Sequence, residues 1–189
     1  MDKKDIDEYA DKTYDQISSW INNCDTKTSI LLALIGVFLT VAFTSDFILT
    51  GITTELKNIV GLFSGNCSCR ACVNVLIILL LGVSIFFFVR SLRFLFVVLF
   101  ARLDNTREEE KSSVCFYKSI GEHSYEEYKK LVVDLSAGQL IDDKLRQVHA
   151  CSKICTRKFI NYNKGINATR FALVFFGLFI TLFLIFNSL

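Results

Sequence analysis

Three stretches of this chain are almost free of charge, and the segments around them are densely charged. A helix that crosses the hydrocarbon core of a bilayer needs ~20 consecutive apolar residues. The first stretch, 29–47, reads SILLALIGVFLTVAFTSDF, with Asp46 near its far end. The second begins at Val73 and stays apolar to Val89; Arg90 and Arg93 follow, and FLFVVLFA then runs to Arg102, so the span is placed at about 73–92. The third covers 171–189. One such run could be a buried core helix, but three in 189 residues cannot all be hidden inside so small a domain. The pattern therefore predicts three transmembrane helices.

The polar segments have helical periods of their own. Over 1–28, Ile6, Ala10, Ile17, Trp20, Ile21 and Cys24 recur at helical spacing among Asp and Glu. This predicts an amphipathic helix, and its acidic polar face suits packing on protein better than lying on a membrane. Asp25 is placed to cap the first span. The 104–111 segment is expected to be an exposed helical extension or turn. Ser124 with Glu127, and Ser136 with Gln139, are capping-box pairs that each start a helix. From there Ile141, Leu145, Val148, Ser152, Cys155, Phe159, Tyr162 and Ile166 alternate by four and three, a heptad seam running into the third span. That seam suits contacts within one subunit or between subunits equally.

Composition supports long helices, since the chain has no Pro and 9 Gly. Charge sets the expected orientation. The loop over 51–72 has only Lys57 and Arg70 as cations, whereas 15 Lys and Arg lie from Arg90 to Arg170. By the positive-inside rule the second segment is cytoplasmic, as is the N-terminus, and the C-terminus is outside. The polar, acidic first 28 residues have no signal-peptide pattern, so the first span acts as its own insertion signal. The expected fold class is all-α: a helical integral membrane protein with a cytoplasmic helical domain at 104–170 and a long helix continuous with the last span.

Three motifs carry a family resemblance: DTKTSILLALIGVFLT at 25–40, SVCFYKSIGEHSYEEY at 113–128 and QVHACSKICTRKF at 147–159. In this order and spacing the chain resembles the transmembrane effectors of bacterial Pycsar antiphage defence, from about Asp25 to its end. The acidic N-terminal helix and the cysteine-rich outer loop lie outside the resemblance. It implies a protein of the bacterial inner membrane that impairs that membrane on infection. The implied trigger is a cyclic pyrimidine mononucleotide from a partner cyclase; related systems hold the effector shut with a bound nucleotide until infection removes it.

A nucleotide needs cations or N–H groups for phosphate and a flat surface for its base. Arg146, Lys153, Arg157 and Lys164 share the side of the long helix opposite the seam, with His149 close by. Phe116, Tyr117, His123 and Tyr125 are candidate stacking surfaces. The nucleotide-binding candidates are thus Arg146, His149, Lys153, Arg157 and Tyr117, against the plainer reading of a solvated basic face. Arg90 and Arg93 share a helix face and would form a cationic ring in a pore, or snorkel at the inner boundary. Ser29, Ala33, Gly36, Thr40 and Thr44 form a small-residue stripe, suited to close helix contact or, through Thr40 and Thr44, to a pore lining.

Cys67, Cys69 and Cys72 in the outer loop allow one disulfide plus a free thiol, or a bridge between subunits. Cys151 and Cys155 beside His149 lack a second ligand pair for zinc and read as buried thiols. Asn66 and Asn167 begin glycosylation sequons, which a bacterial source makes irrelevant. No Gly-rich phosphate loop, Gly-x-Ser-x-Gly or metalloprotease His pair is present. No enzyme, metal site or cofactor is expected.

The expected function is a nucleotide-controlled membrane effector, a channel or pore, acting as a homo-oligomer because three spans are too few to enclose an ion path; a tetramer is the working number. Expected partners are membrane lipid and a cyclic nucleotide or oligonucleotide made by a partner nucleotidyltransferase or cyclase. The alternative is a non-conducting membrane anchor or scaffold that recruits a partner through its cytoplasmic helices.

Overall fold

A computed structural model describes residues 2–46, 49–53, 69–100 and 113–187, with the backbone alone for 69–72 and 187. Its elements are all helical: α1 (Lys3–Thr44), α2 (Cys69–Leu99), α3 (Tyr117–Glu122), α4 (Tyr125–Asp134) and α5 (Ala137–Asn187). Stretches of α1, α2 and α5 are long and apolar enough to cross a membrane. Their most apolar windows are only 11%, 22% and 22% buried, which rules against core helices of a soluble domain and leaves lipid as their solvent.

The chain forms two compact units: a polar unit of Met1–Thr26 with Phe100–Ile160, and a span unit of Lys27–Leu99 with Asn161–Leu189. One sequence expectation needs correction. Asp25 caps nothing, because α1 passes through it without a break. No Pro interrupts this stretch, and the Asp25 carboxylate instead accepts from Lys158 Nζ at 2.6 and 2.7 Å. The helix α2 begins at Cys69, and the apolar stretch within it starts at Val73, where the second span is expected. The 104–111 segment and most of the 51–72 loop, including Cys67, lie outside the described residues.

Within the polar unit, α1 buries Ala10, Ile17 and Cys24, which are seven residues apart. Its acidic flank meets α5: Lys144 Nζ lies 2.7 Å from Asp7 and 2.9 Å from Asp11, and Lys158 holds Asp25. From Asp11 to Asp25 and from Lys144 to Lys158 is the same two heptads, so these portions of the helices run parallel in fixed register. The N-terminal helix thus packs on protein. Trp20 is not part of the packed face, being 50% exposed.

Within the span unit, α2 and α5 are antiparallel. Ser84 Oγ donates to the Ala172 carbonyl at 2.9 Å, and Ser91 Oγ to the Gly165 carbonyl at 3.0 Å. Seven residues forward on one helix are seven back on the other. Gly165 permits this approach: a Cβ there would stand 2.6 Å from Leu95 Cδ2. Two apolar clusters fill the bundle, one around Ile35, Phe88, Leu95 and Ala172, the other around Ile77, Phe179 and Phe183.

Candidate functional site

The polar unit is organised around one carboxylate. Asp143 Oδ2 accepts from Ser113 Oγ at 3.0 Å and from the backbone N–H groups of Val114 and Cys115 at 2.9 and 3.1 Å. Ser113 Oγ accepts in turn from the Phe116 N–H at 3.1 Å, and Tyr128 Oη donates to the Val114 carbonyl at 3.3 Å. These bonds fix the turn that leads into α3. Burial and the adjacent Asp143 push the Cys115 thiol up to about 11, so it stays protonated and unreactive at neutral pH. Burial likewise raises Cys151 and Cys155.

The two capping boxes form. Ser124 Oγ accepts from the Glu127 N–H, and the Glu127 carboxylate accepts from the Ser124 N–H at 2.9 Å. That backbone bond is the first cause of Glu127 lying below its usual value, followed by the Ser124 hydroxyl. Ser136 and Gln139 repeat the arrangement before α5.

Arg146, His149, Lys153 and Arg157 line an exposed face of α5. Arg146 Nε donates to Asp142 at 2.8 Å, which offsets part of that positive charge. Tyr117, also exposed, lies against Phe116 with ring centroids 4.9 Å apart. His123 is half-buried and its Nε2 has no hydrogen-bond partner among the described residues.

The predicted heptad seam faces inward along most of its length. Ile141, Val148, Ser152, Phe159, Tyr162 and Ile166 are half-buried and Cys155 is buried, while Leu145 is exposed; Lys144, Cys151, Lys158 and Gly165 turn inward beside the seam. Sequence reading missed Asp143 and the inward lysines. Ala10, Ile17 and Cys24 were the signal for the latter, since a seven-residue repeat in α1 calls for a parallel helical partner.

In the span unit, Ser29, Ala33, Gly36, Thr40 and Thr44 form an exposed stripe on α1. Among the described residues, nothing outside the helix's own backbone lies within 4 Å of a Cβ placed on Gly36. The hydroxyls of Thr40 and Thr44 donate to the carbonyls of Gly36 and Thr40. Arg90 and Arg93 are exposed, and the Arg90 guanidinium lies 5.5 Å from the centre of the Phe94 ring.

Comparison with known proteins now decides the family. The Pycsar effector protein domain matches residues 9–186, nearly the whole of the two units. The chain belongs to this Pycsar effector family. It is also 32% identical over 171 residues to the Pycsar effector protein GmPycTM of Gulbenkiania mobilis, covering 88% of this chain and 87% of that protein. No solved structure matches it. The Pycsar match begins at Tyr9, so the acidic N-terminal helix belongs to the family pattern rather than standing outside it. Membership and the three apolar helices together make this a membrane-located effector of antiphage defence.

Proposed function

We propose that this Pycsar effector is an oligomeric, nucleotide-controlled membrane channel or pore. The polar unit and N-terminus face the cytoplasm, and the C-terminus lies outside, as the excess of Lys and Arg between the second and third spans favours. Several copies surround the path, meeting along the Ser29, Ala33, Gly36, Thr40 and Thr44 stripe, with Thr40 and Thr44 nearest the opening. A cyclic mononucleotide from a partner cyclase binds at Arg146, His149, Lys153 and Arg157, with Tyr117 stacking on the base. The binding step shifts the assembly only to the extent that the ligand prefers one state.

The observation that supports this reading is the continuity of α5 from Ala137 to Asn187, a single helix that carries both the basic face and the last apolar run.

The test is flux from vesicles containing the purified full-length protein. Addition of a 3′,5′-cyclic pyrimidine mononucleotide should change ion release, and charge reversal at Lys153 and Arg157 should abolish that response. Absence of flux with or without nucleotide would instead support a non-conducting anchor that recruits a partner through the polar unit.

A further inference from the structure

At one end of the span unit the described side chains carry positive charge only. Lys27, Arg90, Arg93, Lys164 and Arg170 lie there, whereas Asp46 is at the far end of the apolar run of α1. Two of these cations converge on one ring. The Arg90 guanidinium is 5.5 Å from the centre of Phe94, and Lys164 Nζ, which comes from α5, is 5.8 Å from the same centre. Both side chains are exposed, and among the described residues neither has a carboxylate partner. Both cations thus lie within 6 Å of one ring centre, and the ring neutralises neither.

Below this pair the outer surface is apolar and aromatic. Leu79 and Phe86 continue the Arg90 face of α2 and are exposed, as are Phe171 and Leu178 on the Lys164 face of α5. Phe87 bridges the two helices, its ring centroid 5.4 Å from Phe171 and 5.8 Å from Phe175. A cationic head above a greasy groove matches an amphiphile with one negative charge and long hydrocarbon tails.

We propose that the α2–α5 groove binds an anionic phospholipid, with its phosphodiester between Arg90 and Lys164 and its acyl chains along Leu79, Phe86 and Phe171. The guanidinium offers a fork of donors to two phosphate oxygens, and the ammonium supplies a point charge from the other helix. A free phosphate or nucleotide would satisfy the cations but leave the groove without a ligand. The site is separate from the proposed nucleotide face, and its test does not require that the protein conduct.

The experiment uses full-length protein in nanodiscs of phosphatidylcholine containing a minor fraction of phosphatidylglycerol, followed by extraction and native mass spectrometry of retained lipid. Wild-type protein should keep phosphatidylglycerol over phosphatidylcholine by at least about tenfold, a preference of about 1.4 kcal/mol. The Arg90→Gln/Lys164→Gln variant should lose that preference. Should the double variant not fold, Lys164→Gln alone, at an exposed position, should reduce the preference severalfold. Equal retention of the two lipids by wild type, or unchanged preference in either variant, overturns the proposal. Displacement of the retained phosphatidylglycerol by millimolar inorganic phosphate or cyclic mononucleotide would also overturn it, by marking a site for soluble phosphate.

Discussion

The two units solve one packing problem with different chemistry. Each sets a portion of α5 against another helix in fixed register. In the polar unit the contacts are ion pairs over a strip of Ala10, Ile17 and Cys24; in the span unit they are Ser and Thr hydroxyls on carbonyls, over Gly165, Ala168 and Ala172. The solvent explains the difference. Water drives apolar faces together and leaves charge to fix register at the rim, where it contributes little. Lipid gives apolar faces no such drive, so association rests on close approach and on hydroxyl bonds that require no desolvation of charge.

The strongest way to break the contrast is to fill the closest approach. Gly165→Leu should destabilise the span unit by ~2–3 kcal/mol, as overpacking does, because the new side chain meets Leu95. Gly36→Leu, whose site is open, should leave unfolding unchanged while lowering the oligomer fraction. Unfolding by SDS titration of micellar protein, beside size measurements, separates the two.

Next comes Asp143→Ala, which strands the Val114 N–H, leaves the Cys115 N–H with Ser113 Oγ as its acceptor, and should cost the polar unit about 1–3 kcal/mol. The same change should speed maleimide labelling of Cys115, since one of the causes of its raised pKa is removed. The sign of the pH effect follows from the shift. With the thiol moved from 9.0 to about 11, its contribution is fully present below pH 9 and is lost as pH rises through 11.

Smaller is the pair Ser91→Ala and Thr169→Val, which removes a 2.6 Å hydroxyl contact between α2 and α5; it should cost ~1 kcal/mol and be indifferent to salt. Smallest is Lys144→Ala, at ~0.2–1 kcal/mol in dilute buffer, fading toward zero near 1 M salt. A salt-sensitive Ser91 effect or a salt-insensitive Lys144 effect would undo the comparison.

Much of this was legible in the residues. Three charge-free runs announced three membrane helices, Ser124 with Glu127 announced the start of α4, and the motifs at 25–40, 113–128 and 147–159 pointed to the Pycsar family. The misreadings have physical causes. Asp25 before an apolar run has the look of a cap, and only its partner 133 positions away reveals a helix that does not stop. The seam on α5 was assigned from residues that are apolar but for Ser152, so Lys144 and Lys158, which turn inward where α1 offers carboxylates, were left off it. Asp143 could not be singled out, as a carboxylate that gathers N–H groups from 28 or more positions away has no local signature.

Lys144 is shared by two carboxylates one helical turn, ~6 Å, apart along α1. Sliding α5 lengthwise by a fraction of a turn lets the ammonium lean toward Asp7 or Asp11 without losing both. Asp25 has Ile21 and Ser29 at the equivalent neighbouring positions, so α1 offers Lys158 no second carboxylate one turn away. The first contact would thus tolerate a small axial slide that the second would not, so the register of the two helices is defined more narrowly at Asp25 than at Asp7 and Asp11.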